Sequence, residues 1–327
     1  MKIHFITQDS LLWPKLIAVG TKNNQPIDPV KEFLKCGILL EDSGAYKARV
    51  LCYTNPHHKI EGKKFMAVGY LQLEENFTHF KALMDAVNQI ALDNNYHYLL
   101  GPMDGNTWNA YRLVSSKQEN PFLLEPVTHP YLVNYFKQTG WNPMVNYFSH
   151  HTDTMVDNWE KLNSRYEGFI DHGITFENFD TSNAKSIFSE LGLFCNESFS
   201  NNFLFSPIEL PKFVELMMPV LPIIDPELTL LARSKQGEIV GFIFAYEDLL
   251  NTKKKTLVVK TLARKPEASF KGIGSILSSI VMKRAIRKGF EACIHALMID
   301  TNLSTHISDK FHGKKFREYC LFSKKLS

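Results

Sequence analysis

Apolar and polar positions along the chain predict the same succession of elements twice: strand, strand, helix, strand. In the first occurrence, β-forming residues fill positions 48–53 and 65–73, and apolar side chains then recur at helical spacing between positions 80 and 91. A short apolar run at 96–100 predicts the strand that completes this set. The pattern therefore predicts an α/β unit in the first third of the chain.

The second occurrence begins after position 226 and is clearer. Two strands flank a hairpin turn at Gly237, a third strand follows, and a helix with one apolar face leads into a buried strand. These elements and a closing strand cover, in order, residues 228–233, 239–246, 256–263, 273–285, 292–298 and 318–324. At about 150 residues per domain, we expect two α/β domains, 1–155 and 156–327, joined within the polar stretch from Asp153 to Phe176.

Composition and charge exclude several classes of protein. The 37 Lys and Arg residues against 34 Asp and Glu leave a net charge of +3, which argues against a nucleic acid as the main partner. The five cysteines are odd in number and contain no C-x-x-C pair, so we expect no disulfide framework and no zinc knuckle. No apolar run reaches the roughly 20 residues of a membrane helix. We therefore expect a cytoplasmic protein without a membrane partner.

Paired histidines raise the question of a metal site. His57-His58 and His150-His151 are adjacent pairs with no acid or cysteine at ligand spacing. Adjacent side chains on a strand point to opposite faces of the sheet. We expect no metal site.

The segment from Lys260 to Ser275 carries the most chemical information, because it lies between a predicted strand and an amphipathic helix. Gly272 and Gly274 let backbone N–H groups approach a ligand closely at the positive end of the helix dipole, where a phosphate is stabilised. A third glycine at the dinucleotide-binding spacing is missing, and no Lys-Ser or Lys-Thr pair follows. These absences exclude the dinucleotide-binding and P-loop interpretations.

This segment resembles the GNAT N-acetyltransferase superfamily, with Pro266, Glu267, Gly272 and Gly274 at the family's relative positions. The resemblance covers about the last 150 residues, from the hairpin at Gly237 onward. It implies two GNAT-like domains, each a mixed twisted sheet flanked by helices. In the first domain, two acids and no glycine stand where a phosphate-binding turn would be, so we expect that domain to bind no cofactor of its own.

The resemblance implies which residues bind acetyl-CoA, the acyl donor. Residues matched to the pantetheine arm or to its vicinity are Leu262, Ala263, Arg264 and Asn302. Residues matched to the pyrophosphate are Phe270, Lys271, Gly272, Ile273, Gly274 and Ser275. The family usually has Arg or Gln where this chain has Ser269, so one charged phosphate contact is missing. Lys271 or Arg264 could replace it; weak cofactor binding is the alternative.

Catalytic groups are less clearly marked. Direct transfer requires a base for the amine proton, and Glu247, next to Asp248 at the end of a predicted strand, is the acid that the topology favours. Its alternative is a solvated loop acid. The family's usual tyrosine is absent, because Asp309 occupies its position, and Tyr319 is the nearest downstream candidate for protonating the departing thiolate. A core tyrosine is the alternative for Tyr319.

A turn-rich loop in the first domain carries Trp108, Tyr111 and Arg112, which suit recognition of an acceptor or packing over the domain junction.

We expect transfer of acetyl to an amine of a small molecule or peptide. Two alternatives remain: a Fem-type aminoacyl transferase, which pairs two GNAT-like domains but uses aminoacyl-tRNA, and a CoA-binding protein without turnover. The sequence leaves the acceptor and the oligomeric state open.

Overall fold

The computed structural model forms two compact units, each built from separate chain segments. Unit 1 comprises Met1–Gln118, Pro126–Asn146 and Tyr319–Ser327, and unit 2 comprises Glu119–Glu125 and Tyr147–Glu318. The units are therefore not divided by a single chain boundary near residue 155. The residues that the structure describes are 1–20, 26–117, 120–299, 308 and 311–326.

Strands and helices alternate along the described residues. The strands are β1 (Lys2–Ile6), β2 (Leu34–Asp42), β3 (Ala45–Tyr53), β4 (Phe65–Leu73), β5 (Tyr98–Gly101), β6 (Leu113–Val114), β7 (Asn142–Thr152), β8 (Thr175–Asn178), β9 (Thr229–Arg233), β10 (Ile239–Glu247), β11 (Thr256–Arg264), β12 (Ala292–Ile299) and β13 (Lys314–Lys325). The helices are α1 (Trp13–Ala18), α2 (Phe77–Asp93), α3 (Tyr131–Gln138), α4 (Trp159–Asp171), α5 (Ala184–Ser198), α6 (Leu210–Met217) and α7 (Ile273–Arg287). Short 3₁₀ turns include Met218–Ile223 and Ala268–Phe270.

Unit 1 is a mixed sheet with strand order β1-β2-β3-β4-β5-β13. Its pairs are antiparallel except for β4 with β5, which is parallel. Helix α2 connects those two strands and packs its buried face on the sheet, because Phe80, Leu83 and Val87 recur at helical spacing. The helix begins after Asn76, whose Oδ1 accepts a hydrogen bond from His79 N at 3.1 Å.

The strands of unit 2 are also of mixed direction and follow the order β7-β12-β11-β10-β9-β8. Only β11 and β12 are parallel, and α7 connects them. Ile273 and Leu277 of α7 are fully buried against Leu257 and Cys293 on one face of the sheet. The strand, strand, helix, strand succession predicted twice from the sequence is thus present in each unit, and the α/β class is confirmed.

Candidate functional site

The parallel pair β11 and β12 separates partway along its length. Pairing runs from Thr256 opposite Ala292 to Val259 opposite His295 and ends there. Beyond this point β11 stays hydrogen bonded to β10 as far as Arg264, and β12 stays paired with β7 along its other edge as far as Ile299. We call this separation the fork; the edge of β11 that follows it lacks a β12 partner.

Gly272 forms the turn that leads from this strand into α7. Its φ of +109° lies in the region that residues with a Cβ rarely adopt, which explains the glycine. Its carbonyl oxygen accepts hydrogen bonds from Ser275 N at 3.0 Å and Ile276 N at 3.2 Å, and these bonds start the helix. The first amides of a helix have no intrahelical carbonyl partner and bear partial positive charge. The mouth of α7 is therefore suited to an anion.

Arg165, on α4, lies beside this turn, and sequence reasoning missed it. A Cβ placed on Gly272 would stand 3.1 Å from Arg165 Cδ and 3.3 Å from its Nη1. The side chain is exposed and brings a permanent positive charge to a turn in which Ser269 offers none. No local sequence signal identifies this arginine, because it precedes the region of resemblance and stands in the predicted domain junction.

The residues matched to pantetheine lie on β11 beyond the fork. Leu262 is half-buried on the α7 face, and Ala263 pairs with Phe242 of β10. Arg264 is half-buried, and its Nη1 donates to Lys265 O at 2.6 Å and to Glu267 O at 3.2 Å. These two hydrogen bonds restrain the backbone of the loop that precedes the Gly272 turn. Asn302 lies outside the described residues.

Of the groups proposed for proton transfer, the two acids lie apart from the fork, and the tyrosine belongs to unit 1. Glu247 pairs with Leu257, where β11 and β12 are still joined, and its carboxylate is 3.7 Å from Lys255 Nζ. Asp248 is buried, and its Oδ1 accepts a hydrogen bond from Leu123 N at 2.9 Å. Tyr319 is fully buried in unit 1. A catalytic role for Glu247 or Tyr319 stays a prediction.

The loop predicted to bind an acceptor belongs to unit 1. Trp108 N donates to Asn106 Oδ1 at 3.0 Å. The Arg112 guanidinium carbon lies 3.9 Å from the centre of the Tyr111 ring, and Nη2 of this arginine donates to the Tyr111 hydroxyl. These contacts hold the aromatic and basic groups of the loop against each other, and the acceptor role stays a prediction.

Unit 1 contains the counterpart of the fork, and its own chain fills it. The parallel pairing of β4 with β5 ends at Ala67 opposite Leu100. Met103 N then donates to Val68 O at 2.7 Å, on the edge of β4 that the separation would otherwise expose. A Cβ on Gly69 would lie 2.2 Å from Met103 O, so only glycine permits this approach. The backbone after β5 thus fills the space that this separation would otherwise leave beside β4.

The buried carboxyl group of Asp104 links the segment after β5 to β4. Asp104 Oδ1 accepts a hydrogen bond from Tyr70 N at 2.5 Å. Burial raises the pKa of Asp104 to about 6, although the hydrogen bond and the nearby Arg49 charge act in the opposite direction. Arg49 itself donates to backbone carbonyls at the end of α1, including Val19 O.

A polar cluster lies at the base of the fork in unit 2. Ser308 Oγ is 2.8 Å from Nδ1 of both His150 and His295, and His295 Nε2 is 3.6 Å from Cys293 Sγ. A serine hydroxyl has one proton, so at least one imidazole donates to it from Nδ1. Burial lowers the pKa of His295 to about 4, and its ring is therefore neutral at neutral pH.

The described residues contain no group of three or more His, Cys, Asp or Glu arranged to hold a metal ion.

The helices of the described residues were compared with the length and apolarity that a membrane span requires. Within the described ranges, no helix combines the length and the apolar composition needed to cross a bilayer.

Comparison with known proteins identifies the fold. No family model matches the sequence, and no curated protein matches it. Among solved structures, a conserved protein of unknown function from Enterococcus faecalis V583, described as a probable N-acyltransferase, has a TM-score of 0.53 and 8% identity over 99% of this chain and 72% of its own. The GCN5-related glucosamine N-acetyltransferase region of a fungal multi-domain GH3 β-N-acetylglucosaminidase has a TM-score of 0.50 and 14% identity over 89% of this chain and 33% of its own. A tandem GNAT protein from the clavulanic acid pathway has a TM-score of 0.48 and 10% identity over 100% of this chain and 99% of its own.

Proposed function

Because this chain has the GNAT fold, we propose that it is an acyl-CoA-dependent N-acyltransferase that transfers acetyl from acetyl-CoA to an amine. One observation carries the proposal: in unit 2, β11 and β12 separate beyond Val259 and His295, and β11 then leads into the Gly272 turn at the mouth of α7. A strand edge that β12 does not pair with, followed by the N-terminus of a helix, suits a ligand with an amide-bearing arm and a diphosphate.

The residues of unit 2 fit the two ends of that ligand. The amides at the start of α7 and the Arg165 charge would bind the diphosphate, and Arg165 would supply the contact that Ser269 cannot make. The edge of β11 from Leu262 to Arg264, which β12 does not pair with, would pair with the amides of the arm. Arg264 contributes by fixing the loop backbone, since its guanidinium is bonded to two loop carbonyls.

Acetyl-CoA supplies an activated acyl group when it is bound. The chain's own contribution is orientation: the fork fixes the arm, and buried residues of α7 close one face of the sheet against water. An alkylammonium, with a pKa near 10.4, must lose its proton before it attacks. Glu247 remains the proposed acceptor of this proton; because its carboxylate lies away from the fork, 3.7 Å from Lys255 Nζ, the proton would reach it through water.

We propose that unit 1 binds no acyl-CoA and that each chain binds one molecule. Support comes from the filled counterpart of the fork, where Met103 N is bonded to Val68 O and Gly69 contacts the same backbone. A cofactor arm would have to displace these contacts.

Calorimetric titration with acetyl-CoA tests the proposal. We expect one binding site in the wild-type protein and a loss of binding in Gly272→Val, because valine cannot adopt the positive φ without strain and its Cβ would crowd Arg165. Gly44→Val, a glycine with similar φ in the hairpin between β2 and β3 and open space around it, is the matched control for backbone strain. Equal affinity in Gly272→Val and wild type would contradict the proposal.

Turnover assays separate the remaining outcomes. Release of CoA with a panel of amines is the expected result. Binding of aminoacyl-tRNA without binding of acetyl-CoA would identify an aminoacyl transferase instead. Tight binding of CoA without turnover on any amine would identify a binding protein.

A further inference from the structure

The face of the unit 2 sheet opposite α7 forms an apolar wall around the fork. The α7 face is filled by fully buried helix side chains such as Ile273 and Leu277, so a reacting group at the fork is approached from the opposite face. Six apolar residues on that face are only half-buried, although they pack against a fully apolar cluster. We call them the acceptor wall: Leu123, Val220, Ile223, Ile224, Phe242 and Leu297.

Leu297, one of the residues of the acceptor wall, has a strained backbone conformation. It lies in β12 beyond the fork with φ of +58°, in the left-handed region that a residue with a Cβ seldom occupies. The pairing register of β12 shifts between His295 and Met298, and Leu297 N donates to the buried Ser149 Oγ at 3.0 Å. Strained residues held in place by their surroundings concentrate at functional sites. The strain turns the Leu297 side chain onto the same face as Ala296.

Among the described residues, the carboxylates that contact the segment 120–125 on this face are already engaged. The segment 120–125 crosses this face: Asp248 Oδ1 accepts from Leu123 N, and the Tyr246 hydroxyl donates to Leu123 O at 2.7 Å. Glu125 is buried and paired with Arg317 at 3.0 Å. These carboxylates bind groups of the protein itself, so they are not placed to pair with a second charge on an acceptor.

We infer that the acceptor is a primary amine attached to an apolar body without a second positive charge. The inference rests on the proposed transferase function. An aliphatic or aromatic body gains free energy by covering Phe242, Leu297 and Ile223, whereas a second ammonium placed there loses its hydration and finds no unengaged carboxylate in the part of the wall that the structure describes. Polyamines and aminoglycosides are therefore poor acceptors.

Hexylamine and 1,6-diaminohexane form the test pair, because they differ mainly in the second amine. With acetyl-CoA saturating, we expect kcat/KM to be about tenfold or more higher for hexylamine. Phe242→Ala should lower kcat/KM for hexylamine and leave the acetyl-CoA Kd unchanged. Leu249→Ala, which alters an exposed leucine beyond the end of β10, is the matched control and should change neither value.

Ile223→Glu tests the inference in the opposite direction. A carboxylate on the wall should raise kcat/KM for 1,6-diaminohexane relative to hexylamine. Equal or better use of the diamine by the wild-type protein would overturn the inference.

Binding of both amines to the CoA-saturated protein gives a readout that does not depend on turnover. Tighter binding of hexylamine supports the inference even where turnover is slow, and tighter binding of the diamine, or binding of neither, overturns it. Failure of the proposed function has a different signature, since acetyl-CoA itself would then fail to bind.

Discussion

Arg165 and Gly272 are neighbours in unit 2, although α4 and the start of α7 are far apart in the sequence. A Cβ on Gly272 would stand 3.1 Å from Arg165 Cδ, so the arginine lies against the backbone of the turn. This relationship places a guanidinium at the mouth of a helix in a chain whose turn has Ser269 where a basic residue is expected. In the proposed site, Arg165 on α4 would supply the charge that the turn itself lacks.

Removing this charge should weaken acyl-CoA binding. We expect Arg165→Ala to raise the Kd for acetyl-CoA about fivefold to tenfold, because a charge-assisted phosphate contact is lost. The difference from wild type should shrink at high ionic strength, since salt screens exposed charges. Lys161→Ala, an exposed cation on the same helix, is the control. Equal losses in both variants would indicate a general effect of net charge and contradict a specific role for Arg165.

Gly69→Ala should destabilise unit 1. The added Cβ would lie 2.2 Å from Met103 O, a backbone atom, so the segment after β5 would have to move away from β4. We expect a loss of about 2 to 4 kcal/mol in the free energy of unfolding. Gly168→Ala is the contrasting variant, because nothing lies near its Cβ in α4, and it should stabilise by about 0.5 to 1 kcal/mol. Denaturant unfolding measures both, and an unchanged midpoint for Gly69→Ala would contradict the close packing.

Asp104 should make stability depend on pH. Its pKa is raised to about 6 in the folded protein, above the value near 3.9 of an unfolded chain. The folded state therefore retains the proton more strongly, and the resulting stability is fully present below pH 4 and is lost as the pH rises through 6. We expect a change of about 3 kcal/mol across this window.

Asp104→Asn checks this dependence. The amide keeps an oxygen for the Tyr70 N hydrogen bond and cannot ionise, so the pH dependence between about 4 and 6 should disappear. Asp171→Asn, at the exposed end of α4, should leave the profile as in wild type. Identical pH profiles for wild type and Asp104→Asn would show that this carboxyl group does not control the effect.

The buried ion pair between Arg317 and Glu125 should anchor the segment that crosses unit 2. Both side chains are almost fully buried, with exposed fractions of 8% and 0%. Glu125→Ala leaves the arginine charge without this partner, and we expect a loss of about 3 to 5 kcal/mol. The double variant Glu125→Leu with Arg317→Met removes both charges and should recover much of this loss. Thermal unfolding compares the three proteins; a double variant as unstable as the single one would contradict the proposed origin of the effect.

Much of the secondary structure could be predicted because it follows from local periodicity. The predicted strand 65–73 coincides with β4, and the predicted helix 273–285 lies within α7. The region from Asp153 to Phe176, treated as a polar junction, instead contains α4, which has no buried residue and hence little apolar signal. Arg165 lies on this helix. Because α4 shows little apolar periodicity, the sequence did not predict the helix or the role proposed for its arginine.

The sequence by itself determined the α/β succession in each unit and the glycine turn at the mouth of α7, because hydrophobic period and glycine conformation are properties of neighbouring residues. Only the tertiary structure decided that Arg165 lies beside that turn, that residues 120–125 complete unit 2, and that Met103 fills the separation between strands in unit 1. Each of these depends on groups distant in the chain, whose contacts are set by how sheets and helices pack and leave no period in the sequence.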